Sequence, residues 1–262
     1  MYAFARRPKW VVSHMLVISL IVAMIAMGLW QLDRLSGRKD ANALVVDRLS
    51  EPVDDITTLT VAGGDYDVGE QLRYRRATAT GTYDAEAEVL VRNRSLNGSP
   101  GYWALTPLVL DDGSAVAVNR GWVPFSPGPG EPRPDSLPPA GTVVVTGLVR
   151  QTVTAEGLQR DDPDEGQLDS LARPDLARLE QQLDYPLLPV YLQLEAQAPE
   201  SESALPIPLP RPDLDEGPHL AYAVQWFVFT TIAVIGYPLV LRRVAMSDGG
   251  AGRHSDIPVD YL

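Results

Sequence analysis

Two uncharged apolar runs stand near the ends of this chain and polar, broken sequence fills the space between them. Val11 to Trp30 and Ala221 to Leu241 contain no Asp, Glu, Lys or Arg over 20 and 21 residues. At about 1.5 Å of rise per residue, each run as a helix reaches roughly 30 Å, the thickness of a bilayer's hydrocarbon core. Trp10 and Trp30 bracket the first run, and Tyr222, Trp226 and Tyr237 lie towards the ends of the second, the positions where amphipathic rings meet headgroups. The first run exceeds the roughly 7–15-residue apolar core of a cleaved signal peptide, and Leu29-Trp30-Gln31-Leu32 continues it without a break, so an uncleaved anchor is expected.

The first span is expected to run on as an amphipathic stalk. From Asp33 to Leu49 the chain is charged and lacks Pro, with Leu35, Ala41, Leu44, Val45 and Leu49 near helical spacing; Glu51-Pro52 ends it. From Leu72 onwards the period shortens. Arg73–Tyr83, Val89–Asn93, Trp103–Leu110, Ala115–Pro124, Thr142–Arg150 and Val190–Leu194 read as strands, with turns at Asn97-Gly98 and Asp111-Asp112-Gly113. Leu176, Leu179 and Leu183 mark one amphipathic helix within Pro174–Leu183. Phe125–Pro139 is a Pro- and Gly-rich loop, Glu156–Asp169 an acidic solvated loop, and Ala198–Pro218 an extended connector.

These elements predict a membrane protein in which two transmembrane α-helices flank an extracytoplasmic α+β domain dominated by antiparallel strands. The expected organisation is a cytoplasmic N-terminus (1–10), a first span (11–32), the outer domain (33–218), a second span (219–241) and a cytoplasmic tail (242–262). Orientation follows from Arg6, Arg7 and Lys9 before the first span and Arg242 and Arg243 after the second, because basic residues close to a span stay in the cytoplasm. The expected location is therefore the cell membrane, with both termini cytoplasmic and the lipid bilayer as a partner.

Charge narrows the partners further. Residues 33–218 carry 16 basic against 31 acidic residues, within a whole-chain net charge of −12. Such a surface repels phosphate backbones, which argues against nucleic acid. With no cysteine in the chain, disulfides, thiolate metal sites and covalent haem attachment through C-x-x-C-H are excluded. The sequence also lacks G-x-S-x-G, H-E-x-x-H, a P-loop and G-x-G-x-x-G after a strand, so no enzyme is expected. Asp161-Asp162-Pro163-Asp164-Glu165 lacks the ligand order of an EF-hand loop.

The outer segment contains no histidine; the three in the chain are His14, His219 and His254. His219 follows Pro218 and opens the second span, which sets an imidazole at the membrane interface. At 100° per residue His219, Tyr222, Ala223, Trp226, Thr230, Ala233 and Tyr237 share a face, with Gln225 at its flank. Leu220, Phe227, Val228, Ile235 and Leu239 fall off that face. A neutral imidazole beside aromatic rings can ligate haem iron; the alternative is an interfacial polar residue whose neighbours pack against the first span. His14 lies about 25 Å away along the membrane normal, so one chain cannot offer both histidines to one haem.

Six arginines, Arg73, Arg75, Arg76, Arg92, Arg94 and Arg120, form basic patches in the acidic segment. Alternation puts Arg73 and Arg75 on one strand face, and Arg92 and Arg94 on another. Two roles are open to them: clamping carboxylates such as haem propionates, or pairing with local acids on a solvated sheet.

Several stretches together resemble the Surfeit locus 1 family. They are Gly28-Leu29-Trp30-Gln31-Leu32-Asp33-Arg34-Leu35, Tyr74-Arg75-Arg76 leading to Gly81-Thr82-Tyr83, Gly101-Tyr102-Trp103-Ala104-Leu105-Thr106-Pro107-Leu108, Val118-Asn119-Arg120-Gly121-Trp122-Val123-Pro124, and His219-Leu220-Ala221-Tyr222-Ala223-Val224-Gln225-Trp226-Phe227. The resemblance implies a non-enzymatic factor for assembly of an aa3-type cytochrome c oxidase, assisting haem a insertion into subunit I. It further implies transient haem a as the cofactor, and oxidase subunit I and the haem a synthesis machinery as partners. His219 is then the expected iron ligand, with Tyr222, Gln225 and Trp226 as its expected cofactor-binding neighbours. A two-span scaffold or ligand-binding protein with an outer domain is the alternative.

Overall fold

The computed structural model describes residues 3–125, 136–157, 159 and 161–251. The first apolar run and the charged stretch after it form one helix, α1 (Pro8–Ser50), of 43 residues. It stops at Glu51-Pro52, where the proline's restriction on the preceding residue breaks helical geometry. The second run opens α5 (His219–Ala251), which continues beyond the expected end of the span at Leu241. Both helices are long and apolar enough to cross a membrane. The chain divides into two compact units, residues 1–43 with 213–262, and residues 44–212.

Unit 44–212 is built on eight strands: β1 (Asp54–Asp55), β2 (Arg76–Tyr83), β3 (Val89–Leu96), β4 (Ser99–Leu110), β5 (Ala115–Pro124), β6 (Thr142–Gln151), β7 (Ser170–Leu171) and β8 (Leu187–Ala198). Three short helices join them: α2 (Ile56–Leu59), α3 (Val68–Leu72) and α4 (Leu176–Glu180). The strands run in the order β1-β2-β6-β8-β5-β4-β3-β7, and β2 pairs a second time with β4. That second pairing closes β2, β6, β8, β5 and β4 into a five-stranded ring, with β3 and β7 continuing outwards from β4.

The expectation of a predominantly antiparallel sheet is corrected: the sheet is mixed. β1 with β2, β3 with β7 and β5 with β8 are parallel. Hairpin turns are visible in sequence and announce antiparallel neighbours, whereas parallel neighbours are joined by long connections that leave no local signature. The β3–β4 turn has Asn97 and Gly98 at φ 50° and 81°, the left-handed pair a tight hairpin requires. Strand ends shift as well. β2 begins at Arg76 rather than Arg73, because Tyr74 is at φ 71°. β8 extends at both ends of Val190–Leu194, since a strand buried from Leu187 to Gln193 shows little alternation.

Closure sorts alternate residues into two cores. The inner one draws on every ring strand, including Ala77, Ala79, Leu108, Val116, Val118, Val143, Val145, Val190 and Leu192, all at 1% exposure or less. The outer one, with Val91, Leu105, Ala117, Leu171, Leu176, Leu179 and Tyr191, lies under β3, β7 and α4. Small and β-branched side chains suit the narrow lumen of a five-stranded ring. The corner is made by Gly81, which pairs with Val143 on one side and Leu110 on the other. A Cβ there would lie 2.2 Å from the Val109 carbonyl oxygen, so β2 could not approach β4 with any other residue.

Arg120 continues the inward face of Val116 and Val118 and is 3% exposed. It pairs with Glu88 and donates to Thr106 Oγ1 at 2.8 Å and to the Ser136 carbonyl at 2.6 Å. Thr106 in turn donates to Glu88 Oε2 at 2.5 Å, so the acid receives two donors. The Tyr83 ring lies 5.9 Å from the guanidinium carbon; burial pushes its hydroxyl well above the ordinary tyrosine range against a smaller opposing pull from Arg120. Replacing Glu88 by Ala strands a buried cation, which costs about 3–5 kcal/mol. Chemical denaturation of the purified Glu88→Ala protein is expected to show that loss, while Arg211→Ala, which breaks the more exposed pair with Glu195, stays within about 0.5 kcal/mol of the parent.

Candidate functional site at the start of the second apolar helix

In the unit formed by residues 1–43 and 213–262, polar contacts join α1 and α5 at both ends of their apolar stretches. At one end His219 Nδ1 lies 2.8 Å from Gln31 Oε1. At the other, the Tyr237 hydroxyl meets His14 Nδ1 at 2.6 Å and Ser13 Oγ at 3.0 Å. Gln31 follows His14 by 17 positions in α1, about 25 Å along the helix. The two histidines therefore sit at opposite ends of the pair.

Between the ties the helices pack through small residues. Ala223 is 1% exposed, and the Phe227 ring lies against Gly28, where an added Cβ would be 2.8 Å from it. Of the two outcomes open to Phe227 off the face of His219, lipid or another helix, the structure shows contact with α1. At 100° per residue Phe227 lies about 40° beyond Ala223, at the edge of the packed side.

The approach to α5 is ordered by its own side chains. Asp213 and Asp215 each accept an amide two residues on, the Asx turn that Asp readily forms. The Asn42 side chain donates to the Leu214 carbonyl at 2.6 Å, and Lys39 pairs with Glu216 at 3.7 Å. The Pro218 carbonyl accepts the Tyr222 amide, starting the helix where a missing proline N–H costs nothing.

His219 is thus held by one nitrogen. With the Gln31 oxygen as acceptor Nδ1 carries the proton, and in the neutral ring that tautomer leaves the lone pair on Nε2. Gly217 lies beside that nitrogen at φ 72°, and a Cβ on it would sit in van der Waals contact with the ring, 3.5 Å from Nε2. This is the arrangement of a metal-ligating histidine whose second nitrogen is fixed by an outer partner. Tyr222 is 48% exposed, Gln225 is exposed and Trp226 half-buried, with the Trp226 ring edge-on to Phe229 at 6.3 Å. The side chains fit a flat, apolar, metal-centred ligand: one oriented imidazole nitrogen, uncovered aromatic surface and a polar amide at the flank. Among the described residues no cluster of three or more His, Cys, Asp or Glu could hold a metal ion, so His219 would be a solitary protein ligand.

The structure divides the six arginines. Arg75 pairs with Glu51 and Asp54, Arg76 with Glu195, Arg92 with Asp162 and Arg120 with Glu88. Arg73 and Arg94 have no carboxylate within ion-pair distance among the described residues. The expected face-sharing also fails. Arg73 and Arg75 precede β2, and a register shift between Val91 and Arg94, with Asn93 at φ 57°, separates Arg92 from Arg94. The acidic loop is not wholly solvated either: Asp162 is 8% exposed, accepting from Arg92 and from the Ala172 amide. Much of the loop expected at Phe125–Pro139 lies outside the described residues.

Gln31 escaped sequence reasoning. A Gln at the edge of an apolar run is its only signal, and its partner lies 188 residues away. Arg150 escaped too, being an ordinary cation at a strand end.

The profile of the SURF1 family matches residues 18–231. A SURF1-like protein of Mycobacterium tuberculosis is 30% identical over 237 residues, covering 89% of this chain and 84% of the relative. A SURF1-like protein of Dictyostelium discoideum is 28% identical over 109 residues, 40% of each chain. The cytochrome oxidase assembly protein SHY1 of Saccharomyces cerevisiae is 32% identical over 114 residues, 41% of this chain and 28% of the yeast protein. With a family match running from within α1 to within α5 and a relative aligned over most of both lengths, this chain belongs to the SURF1 family.

Proposed function

We propose that this protein is a membrane-anchored assembly factor for an aa3-type cytochrome c oxidase, and that it holds haem a transiently for insertion into subunit I. The name of the yeast relative supports the oxidase assembly role. The observation that supports the haem reading is His219, whose Nδ1 is occupied by Gln31 at 2.8 Å and whose Nε2 lies beside Gly217 with no hydrogen-bond partner among the described residues. His219 would be the residue that holds haem a, and the bound group would supply an iron able to take an imidazole nitrogen. The chain's own part is to orient the ring through Gln31, to offer Tyr222 and Trp226 as apolar walls and Gln225 as a polar contact, and to leave the ligand partly uncovered. One endogenous ligand suits a carrier that must give up its cargo; His14, at the far end of the helix pair, cannot supply a second. The protein acts by binding and handing over, without catalysis, beside subunit I and the haem a synthesis machinery.

In this reading the two helices span the cell membrane, both termini are cytoplasmic and residues 33–218 face outwards. The basic residues flanking each apolar run support that orientation. Protease added outside intact protoplasts is expected to cut the loop and spare a tag on either terminus; loss of a terminal tag overturns the topology.

Deleting the gene is expected to lower the haem a absorbance of membranes and the oxidase activity with it. Unchanged haem a and activity would remove the oxidase role, whereas haem a loss that His219→Ala does not reproduce would leave a scaffold without a haem site. For purified full-length protein, His219→Ala is expected to abolish haem a binding with its membrane level unchanged. Gln31→Ala is expected to weaken binding by about 10- to 100-fold, the usual cost of losing an outer partner. An unaltered spectrum and affinity in His219→Ala would show the histidine to be a packing residue.

A further inference from the structure

Of the arginines in unit 44–212, those with a partner acid and those without are sharply separated. Among the described residues four form no ion pair, although the chain has 34 acidic residues against 22 basic ones: Arg178, whose guanidinium donates to the Pro163 and Gly166 carbonyls, and the three left with an unpaired nitrogen, Arg73, Arg94 and Arg150. Those three are also gathered in one place. Arg73 and Arg150 stand 5.1 and 4.9 Å from the centre of the same ring, Tyr74, so the two cations are no more than about 10 Å apart. Arg150 is the direct cross-strand partner of Tyr191. Arg94 is close enough to Tyr191 for the two to interact electrostatically, and it lies 4.4 Å over the Trp103 ring.

Each of these guanidiniums is half-buried and keeps one enclosed nitrogen without an acceptor: Nε of Arg73, Nε of Arg94 and Nη1 of Arg150. Enclosed donors left unpaired are destabilising. The aromatic faces attract the cations but neutralise none of the charge. Arg94 is held below the usual arginine range by burial, with Tyr191 raising it and Arg173 lowering it, and no carboxylate contributes. What the cluster lacks is an anion.

We propose that Arg73, Arg94 and Arg150 form a binding site for a small oxyanion, a carboxylate or a phosphate, on the outer side of the ring beside Tyr74 and Tyr191. The planar forks of three arginines match oxyanions that present two or more oxygens. Tyr74 and Trp103 hold the forks in place before the ligand arrives, which lowers the ordering cost of binding. The left-handed backbone at Tyr74 brings Arg73 to the group instead of into β2. The site uses no residue of the His219 region, so either assignment can fail without the other.

The test is calorimetric titration of the full-length protein in detergent at constant ionic strength, with sodium succinate and sodium phosphate as probes and chloride as the control. Saturable binding of at least one probe is expected. Succinate alone identifies a carboxylate site, phosphate alone a phosphate site, and both an unselective oxyanion site. The double variant Arg94→Gln/Arg150→Gln is expected to bind at least 10-fold more weakly, and Arg76→Gln, which loses only its pair with Glu195, as tightly as the parent. If the double variant does not fold, Arg73→Gln, whose residue precedes the sheet, is expected to weaken binding at least 3-fold. No saturable heat from either probe, or equal affinity in the folded variants, overturns the site.

Discussion

The pairing of β2 with both β6 and β4 is the constraint on which unit 44–212 depends. A sheet that ended at β2 would leave an open edge and one broad core; shared between two partners, β2 turns the sheet into a ring. Every ring strand then has an inside and an outside, and both are buried where β3, β7 and α4 cover the wall. Gly81 makes this possible by removing the one Cβ that would block the corner. Ring closure also moves the free edge from the ring strands to β3 and the two-residue β7.

Closure decides the fate of charge as well. Arg120 points inwards and is tolerated because Glu88, Thr106 and Ser136 satisfy it; a buried cation needs such company. Arg75, Arg76 and Arg92 lie around the ring where acids from distant segments reach them. Arg73, Arg94 and Arg150 collect instead around Tyr74, Trp103 and Tyr191. In a chain with surplus acid, that separation reflects placement and not a shortage of partners.

The helix pair follows a different logic. In the proposed bilayer setting helices gain little from hydrophobic contact, and small residues and polar ties would hold them together. Here Gly28 and Ala223 allow close approach, and His14 with Tyr237 and Gln31 with His219 tie the two ends. Unlike His14, which is bonded through both ring nitrogens, His219 is bonded through one. The proposed ligand role of His219 rests on that difference in hydrogen bonding more than on its position in the chain.

By itself the sequence determined what local periodicity and composition can carry. The two long apolar helices, the helical stalk broken at Glu51-Pro52, the hairpins at Asn97-Gly98 and Asp111-Asp112-Gly113, and His219 at the head of α5 were all legible there. Each depends on neighbours a few residues apart, whose spacing a helix or a turn dictates directly. Tertiary structure alone decided the parallel pairing of β5 with β8, the closure of the ring at Gly81, the sorting of the arginines and the tie between Gln31 and His219. Those outcomes join residues tens to nearly two hundred positions apart, and no local pattern encodes which distant acid, ring or amide a side chain will meet once the chain has packed.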